Sequence, residues 1–362
     1  MKGILLIISV MLLSLVSCGK NNVYQIEGKI ANLENQIIYA VFESEDRNVV
    51  DTIICSKPGQ FKIQQSGTDF QQATLYFEGR TSWFIVFLEP GLKVTVTGDM
   101  HYPTQIMAKG GNLNNEISSI RKKAAPLLKE ETDLFNNLNT TSPSDANDLT
   151  SRMANVRHQL NEQALAYIQE HPDKTASAVL LKTFFANPDD TRRLDELLIT
   201  LDPKLKDFYV VKELEQYSIR AKRTALGAEA PNFTVKNING HVVSLDSFPQ
   251  KYLLLTFTAP WCDMCRTDDL YLDEIHHTYS NSKIEQLLVS LDDDMKGVRE
   301  VLKKDSINWN LVTDSAGQAS MLVDLYNVSA LPRCYLIDEE GKIILKTENG
   351  IEVKRTLERL IK

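Results

Sequence analysis

Five cysteines in 362 residues are too few to staple a scaffold of this length, so a disulfide-built fold is excluded and each cysteine must be explained singly. Basic residues are also in deficit. Forty Lys and Arg against 48 Asp and Glu leave a net charge of -8, which argues against a surface that reads nucleic acid through its phosphates. Past the first sixteen residues no apolar run approaches the ~20 residues that cross a bilayer as a helix, which excludes a polytopic membrane protein. No internal repeat marks a solenoid. The composition, 43% hydrophobic and 24% charged, excludes wholesale disorder. At 362 residues the chain is about twice the usual single-domain size, so two or more cores are expected.

The N-terminus carries Lys2, an apolar run over residues 3–16, and then Ser17-Cys18. A charged start followed by a run too short to span a bilayer reads as an export signal. Leu15-Val16-Ser17-Cys18 resembles the lipobox of bacterial lipoproteins, which implies cleavage before Cys18 and lipidation of that thiol. Gly19-Lys20-Asn21-Asn22 places no Asp beside the lipid site. By that resemblance, the expected location is the cell envelope, lipid-anchored to the outer membrane and facing the periplasm.

Three periods divide the remainder. From residue 23 to about 100 apolar residues alternate, as in Tyr24-Ile26, Ile37-Tyr39-Val41, Phe61-Ile63, Leu75-Phe77 and Leu92-Val94-Val96, between turns such as Lys57-Pro58-Gly59 and Glu89-Pro90-Gly91. Period two predicts an antiparallel β domain, a small sandwich. From residue 114 to about 223 the step changes: Leu149, Met153, Val156, Leu160, Ala164 and Tyr167 line one helical face. The polar, Pro-broken stretch 136–148 predicts a turn between helices. After Gly227-Ala228-Glu229-Ala230-Pro231 the pattern alternates strand and helix, which predicts an α/β unit with a sheet covered on both faces. Residues 252–258 and 284–291 read as buried strands, 333–338 and 343–347 as a hairpin, and Val353, Leu357, Leu360 and Ile361 as the apolar stripe of a closing helix. The expected organisation is a signal peptide at 1–17, a lipidated tether at 18–22, a β-sandwich-like domain at 23–110, a helical linker region at 111–222 and an α/β domain at 223–362.

The chemistry is expected at Cys262-Asp263-Met264-Cys265, which follows a buried strand directly and opens a helix. A cysteine at a helix N-terminus has its thiolate stabilised by unpaired backbone N–H groups and by the dipole. A second cysteine three residues on, about one turn away, can close a short disulfide. An inert disulfide and half of a zinc site are the other readings; the chain has no second two-cysteine pair to complete a zinc site. Taken singly, Trp261 and Pro332 read as core packing and an ordinary turn, and Asp268, Asp269 and Asp273 as a solvated helix face. His276 and His277, adjacent in a helix, are expected to point apart, so no metal site is expected there. Cys55 and Cys334 read as buried thiols, with Cys334 alternatively a third thiol near the active pair.

A set of motifs joins these residues. Gly227-Ala228-Glu229-Ala230-Pro231-Asn232-Phe233, Val243-Ser244-Leu245, Phe257-Thr258-Ala259-Pro260-Trp261-Cys262, Tyr326-Asn327-Val328, Leu331-Pro332 and Leu336-Ile337-Asp338-Glu339-Glu340-Gly341-Lys342-Ile343 resemble the TlpA/ResA-like branch of the thioredoxin-fold thiol-disulfide oxidoreductases, related to the AhpC/TSA family. The likeness covers about residues 223–362. The β domain and helical middle are similar, more loosely, to an accessory region fused to this branch in lipoproteins. The resemblance implies that Cys262 is the exposed attacking cysteine and Cys265 the resolving one. It also implies that Trp261 flanks the site, that Pro332 is a cis-proline facing the disulfide, and that the Leu331 backbone pairs with substrate. Asp268, three residues after Cys265 and hence on its helix face, matches a carboxylate near the resolving cysteine. The chain departs from the family at Asp263-Met264, where the usual pair ends in Pro, and at Thr258. It departs again at Arg333-Cys334 after Pro332, and at Thr256, in the place of the buried Asp of thioredoxin.

The expected function is a periplasm-facing, lipid-anchored thiol-disulfide oxidoreductase that needs no cofactor or metal and acts on disulfide-bearing exported proteins. An Asp263 carboxylate beside the Cys262 thiolate disfavours the charged reduced form and so lowers the potential, which favours reduction or isomerisation over oxidation. A membrane thiol carrier is then the expected electron donor, because an oxidising periplasm does not keep the pair reduced. Two other readings are a non-enzymatic binding lipoprotein on a thioredoxin-like scaffold and a thiol peroxidase. By family resemblance, the latter chemistry wants a Thr or Ser three residues before the cysteine, where Ala259 stands.

Overall fold

The computed structural model describes residues 23–33, 37–43, 48–67, 71–79, 82–138, 146–187, 189–279, 283–292, 310–314 and 317–361. They form two compact units, residues 1–167 and 168–362. Among the described residues no helix is long and apolar enough to cross a membrane.

The first unit begins with strands β1 (Val23–Ala31), β2 (Ile37–Glu43), β3 (Asn48–Ile54), β4 (Gln60–Ser66), β5 (Gln71–Phe77), β6 (Trp83–Leu88), β7 (Lys93–Asp99) and β8 (Met107–Lys109). They make two four-stranded sheets, ordered β4-β1-β7-β8 and β3-β2-β5-β6. Alternation sends one side of each strand inward: Tyr24, Ile26, Ile63, Val94 and Val96 from the first sheet join Ile38, Phe42, Leu75, Phe77 and Val86 from the second in one core. The sandwich is not purely antiparallel, as the alternation alone suggested. β1 pairs with β7 in parallel, Gln25 against Lys93 through Ala31 against Asp99. Parallel neighbours need a long crossover, and β2 to β6 supply it. The turn into β4 requires Gly59, at φ 68°, because a Cβ there would run into the Ile30 carbonyl oxygen.

Helices α1 (Asn112–Lys123), α2 (Ala125–Leu138) and α3 (Ala146–Glu170) follow, and the expected turn at 136–148 falls largely in the gap between α2 and α3, outside the described residues. Asn114 ties α1 to the sandwich: its Nδ2 donates to the Phe87 carbonyl at 2.6 Å and its Oδ1 accepts from the Phe87 N–H at 3.0 Å. Met153, Val156, Leu160 and Ala164 are buried on the predicted face of α3.

The second unit carries α4 (Thr175–Phe185), α5 (Arg192–Leu198) and α6 (Tyr209–Arg223), then β9 (Thr234–Lys236), β10 (Val242–Ser244), β11 (Tyr252–Thr258), α7 (Asp263–Tyr279), β12 (Ile284–Ser290), β13 (Asn310–Thr313), α8 (Gln318–Tyr326), β14 (Arg333–Ile337), β15 (Ile343–Thr347) and α9 (Gly350–Leu360). The short pair β9–β10 carries the Val243 motif. The main sheet is ordered β13-β12-β11-β14-β15, with β11 to β13 parallel and β14 antiparallel to both its neighbours. β11 is central and buried on both faces, which is why its sequence is a nearly unbroken apolar run rather than an alternation. Leu253, Leu255 and Phe257 pack with Leu322 and Tyr326 of α8 on one face; Leu254 packs with Leu272 and Ile275 of α7 and Val353 and Leu357 of α9 on the other. This is the thioredoxin-like α/β arrangement that the motifs implied.

Two tyrosines show how polar groups enter that core. Tyr326 donates to the Pro231 carbonyl at 2.8 Å and Tyr335 to the Tyr326 carbonyl at 2.7 Å. Burial pushes both phenols up, Tyr335 to about 12, so both hydroxyls stay protonated donors in the physiological range.

Candidate active site

The central strand β11 delivers the chain to Ala259-Pro260-Trp261-Cys262 at its C-terminal edge, and α7 starts at the next residue. Cys262 therefore stands at the N-cap position, and the Cys265 backbone N–H donates to its Sγ at 3.2 Å. Sulfur occupies the place that a capping oxygen usually takes, on one of the four N–H groups a helix leaves unpaired. Cys262 and Cys265 are joined as a disulfide, with Cα atoms 5.3 Å apart. The two sulfurs are thus each other's partners, as the spacing allowed, rather than half a zinc site. Ala259 packs with both cysteines, and Leu291 and Leu331 border them.

The expected exposure of Cys262 needs correction. In the disulfide it keeps 8% of its accessible surface against 2% for Cys265, so it is the more open of two nearly buried sulfurs. Linkage to Cys265 and the apolar lining of Ala259 and Leu331 account for this. Exposure lies instead in the side chains beside it, Trp261 and Met264.

Leu331-Pro332 is the cis peptide expected from the motif, and Leu331 reaches the cysteine cluster just before β14 begins. Asp268 lies on α7, one turn beyond Cys265. Its side chain, and those of Asp263, Asp269 and Asp273, are outside the described residues. Cys18 is outside them as well. His276 and His277 differ from expectation: their rings meet edge to face with centroids 5.9 Å apart.

Cys334 is fully buried on the face under α7 and α9, packed with Leu254, Leu272, Ile275 and Leu336 rather than with the disulfide pair. Its Sγ lies 3.7 Å from Thr256 Oγ1, so the two departures from the family pattern are each other's partners, facing across β11 and β14. Cys55 is likewise buried in the sandwich core. Cys334→Ser and Cys55→Ser proteins are each expected to keep disulfide-reduction turnover within a few-fold of the parent. Steady-state rates check this, and a large loss in a folded Cys334→Ser protein would reinstate the third-thiol reading.

One cluster went unread in the sequence. Arg333, directly after Pro332, and Lys346, across the hairpin, bury their side chains to 3% and 2% exposure. Arg333 Nη2 donates to Glu348 Oε1 at 2.8 Å, and its Nη1 lies 3.6 Å from Asp189 Oδ1. Lys346 Nζ is 3.2 Å from the same Asp189 oxygen. Burial holds the Lys346 ammonium below the usual lysine range, with Asp189 opposing the shift. Burial and the same carboxylate push Tyr217 of α6 up to about 12. Asp189, from the α4–α5 connection, therefore compensates two buried cations on the hairpin that leaves the cis-proline. Asp189, one of two adjacent aspartates 144 residues upstream of Arg333, carries no signal of this in the sequence.

Comparison with known proteins adds the following. Residues 226–346 match the AhpC/TSA family, and residues 24–117 match a family described as a domain of unknown function (DUF4369). The thiol-disulfide oxidoreductase ResA of Bacillus thuringiensis is 28% identical over 146 residues, 40% of this chain and 82% of that protein. ResA of Bacillus subtilis is 29% identical over 118 residues, 33% of this chain and 64% of that protein. Among solved structures, the thioredoxin domain of a thiol-disulfide oxidoreductase from Bacteroides vulgatus is 28% identical with a TM-score of 0.36, covering 38% of this chain and 99% of that one. A thiol-disulfide oxidoreductase from Bacteroides fragilis is 29% identical with a TM-score of 0.33, covering 37% and 99%.

Proposed function

We propose, from the premise that residues 226–346 are an AhpC/TSA-family domain of a ResA-like thiol-disulfide oxidoreductase, that this protein reduces or isomerises disulfides of exported proteins through a Cys262/Cys265 dithiol. The observation that carries the dithiol reading is the Cys262–Cys265 pair at the start of α7, with the Cys265 N–H on the Cys262 sulfur and Leu331 packed beside both. In the reducing direction the Cys262 thiolate attacks a substrate disulfide, forming a mixed disulfide and releasing the first substrate thiolate, which takes up a proton. The Cys265 thiolate then attacks the Cys262 sulfur, closing the internal disulfide and releasing the second substrate thiol. The substrate gains two electrons and two protons, and a membrane thiol carrier returns the enzyme pair to the dithiol.

The export signal and the Cys18 lipobox support a lipid anchor at the outer membrane, facing the periplasm. Two measurements test the whole reading. The purified protein with a dithiol donor is expected to turn over a disulfide substrate, and metabolic labelling with a fatty acid is expected to mark the parent chain and not Cys18→Ala. A folded protein without reductase or isomerase turnover would leave a binding lipoprotein as the better account.

Asp268 belongs to the resolving step. Cys265 is nearly buried, which disfavours its thiolate, and Asp268, three residues on in the same helix, is the group to which this reading assigns that proton. Asp268→Asn is expected to slow resolution at least tenfold and by no more than the ~10²–10⁴ usually supplied by general acid–base catalysis, while Asp269→Asn does little. Single-turnover kinetics near neutral pH report this, and equal resolution rates in the Asp268→Asn and parent proteins would return Asp268 to a solvated face.

A further inference from the structure

The two outer faces of the sandwich differ in chemistry. On the β4-β1-β7-β8 sheet the registers place Lys62, Glu27 and Thr95 in one row and Gln64, Gln25 and Lys93 in the next, all polar. Lys62 and Lys93 both pair with Glu27, at 3.5 and 2.8 Å. This is an ordinary water-facing surface.

The outer face of the other sheet is divided: at its Glu43 end Gln72 and Thr74 are buried and donate to Glu43, whereas its Tyr39 end is apolar and aromatic. Its registers align Thr52, Tyr39, Tyr76 and Trp83 in one row across β3, β2, β5 and β6, and Val50, Val41, Thr74 and Ile85 in the next. Ile54 lies opposite Ile37 at the end of the β2–β3 ladder. Five of these side chains are exposed, from 37% at Tyr39 to 77% at Ile54 with Val50, Tyr76 and Trp83 between them, while Thr74 in the second row is buried. Five exposed large apolar side chains on one sheet face are beyond the scattered hydrophobes of a water-facing surface and mark a surface that is covered in use.

The position of Cys18 identifies the cover. Four residues separate it from Val23, the first residue of β1, and the five Cα-to-Cα steps between them reach at most about 18 Å. A lipid on Cys18 therefore holds this domain against the bilayer. β1 lies in the polar sheet, and two packed sheets are about 10 Å apart, so the tether is long enough to pass the sandwich and leave the aromatic sheet flat on the lipid. Tyr and Trp, with an apolar body and one polar atom, are the side chains that settle at a membrane–water interface. We propose that the outer face of the β3-β2-β5-β6 sheet, centred on Tyr39, Tyr76 and Trp83, lies in the headgroup region of the membrane that holds Cys18. It is a second attachment that orients the β domain, and the inference rests on the lipid-anchored reading of Cys18.

The test uses the full lipid-bearing chain, with its active pair oxidised, in vesicles of phosphatidylethanolamine and phosphatidylglycerol. With Cys18 acylated, Cys262 and Cys265 linked, and Cys55 and Cys334 buried, an introduced cysteine takes a nitroxide selectively. The label is placed at Thr52→Cys in the aromatic row or at Thr95→Cys on the polar sheet. Collision with oxygen relative to a water-soluble nickel complex is expected to be several-fold higher at residue 52 than at residue 95. Tyr39→Ser, Tyr76→Ser and Trp83→Ser together are expected to return the residue 52 label to water. Equal exposure to nickel at both sites, with mass spectrometry showing lipid on Cys18, overturns this inference and leaves the anchor standing. Shielding of residue 52 from both reagents indicates a second copy of the chain as the cover and overturns it too, as does a residue 52 label unmoved by the triple change. A chain without lipid on Cys18 overturns the anchor reading and removes the ground of this one.

Discussion

Cys265→Ser protein is expected to stop halfway through its reaction: turnover falls to background and one equivalent of substrate remains covalently held at Cys262. Cys262→Ser is expected to lose turnover equally and to hold nothing. The asymmetry follows from the start of α7. Cys262 stands at the helix N-cap with the Cys265 N–H directed at its sulfur, whereas Cys265 lies a turn inside and is nearly sealed. A hydrogen bond to a charged group contributes about 1.5–3 kcal/mol, against about 0.3–1 kcal/mol for the helix dipole, so the directed N–H is the larger source of thiolate stabilisation. In the reduced parent, Cys262 should accordingly be alkylated first. Peptide mapping of the trapped adduct and of the first alkylated site decides the assignment; faster labelling or trapping at Cys265 would reverse the two roles.

The second large effect is expected at Asp189, far from the cysteines in sequence. Asp189→Ala removes the carboxylate shared by Lys346 and Arg333, both buried, while Arg333 keeps Glu348 and Lys346 keeps its other interactions, the charge of Glu348 among them. Breaking a buried pair by removing one partner costs about 3–5 kcal/mol. Asp189 is itself more than half exposed, and solvent screening lowers the expectation to about 2–3 kcal/mol at pH 7. The deficit should depend on pH in a definite direction. Burial already depresses the folded-state pKa of Lys346, so below that value, where both states carry the proton, the full penalty is present; as pH rises from the folded towards the unfolded lysine value the folded chain loses the proton first and the penalty disappears. Removing Asp189 deepens the depression, so the variant's deficit should shrink between pH 7 and about pH 10. Tyr217 and Tyr335 do not interfere, since both are pushed up to about 12. Lys346→Met, which removes the buried charge and keeps the volume, should be nearly neutral or stabilising. Denaturant unfolding at the two pH values is the measurement, and a deficit that stays constant or grows at high pH would remove Lys346 as its cause.

What the sequence determined by itself was whatever local chemistry and short-range period dictate. The nearly unbroken apolar run at 252–258 read as a strand buried on both faces, and the cysteine pair soon after it as the opening of the following helix. Gly341 in the hairpin and the stripe through Val353 and Leu357 specified the C-terminal elements in the same way. Trp261, Leu331 and Pro332 were legible only because the motifs tied them to those elements. Tertiary structure decided what depends on distant partners. Alternation shows which side chains share a face but not which strands meet, so the parallel β1–β7 pair emerged only from the crossover through the second sheet. The same limit hid the row of Tyr39, Tyr76 and Trp83, three separate outward residues in the chain that cross-strand registry brings side by side. Thr256 and Cys334, 78 residues apart, become partners because β11 and β14 are neighbours. Arg333 and Lys346 look in sequence like solvated charges at a strand end. Burial, which is a property of the packed hairpin and not of the residues, turns them into cations that need compensating carboxylates, Asp189 among them.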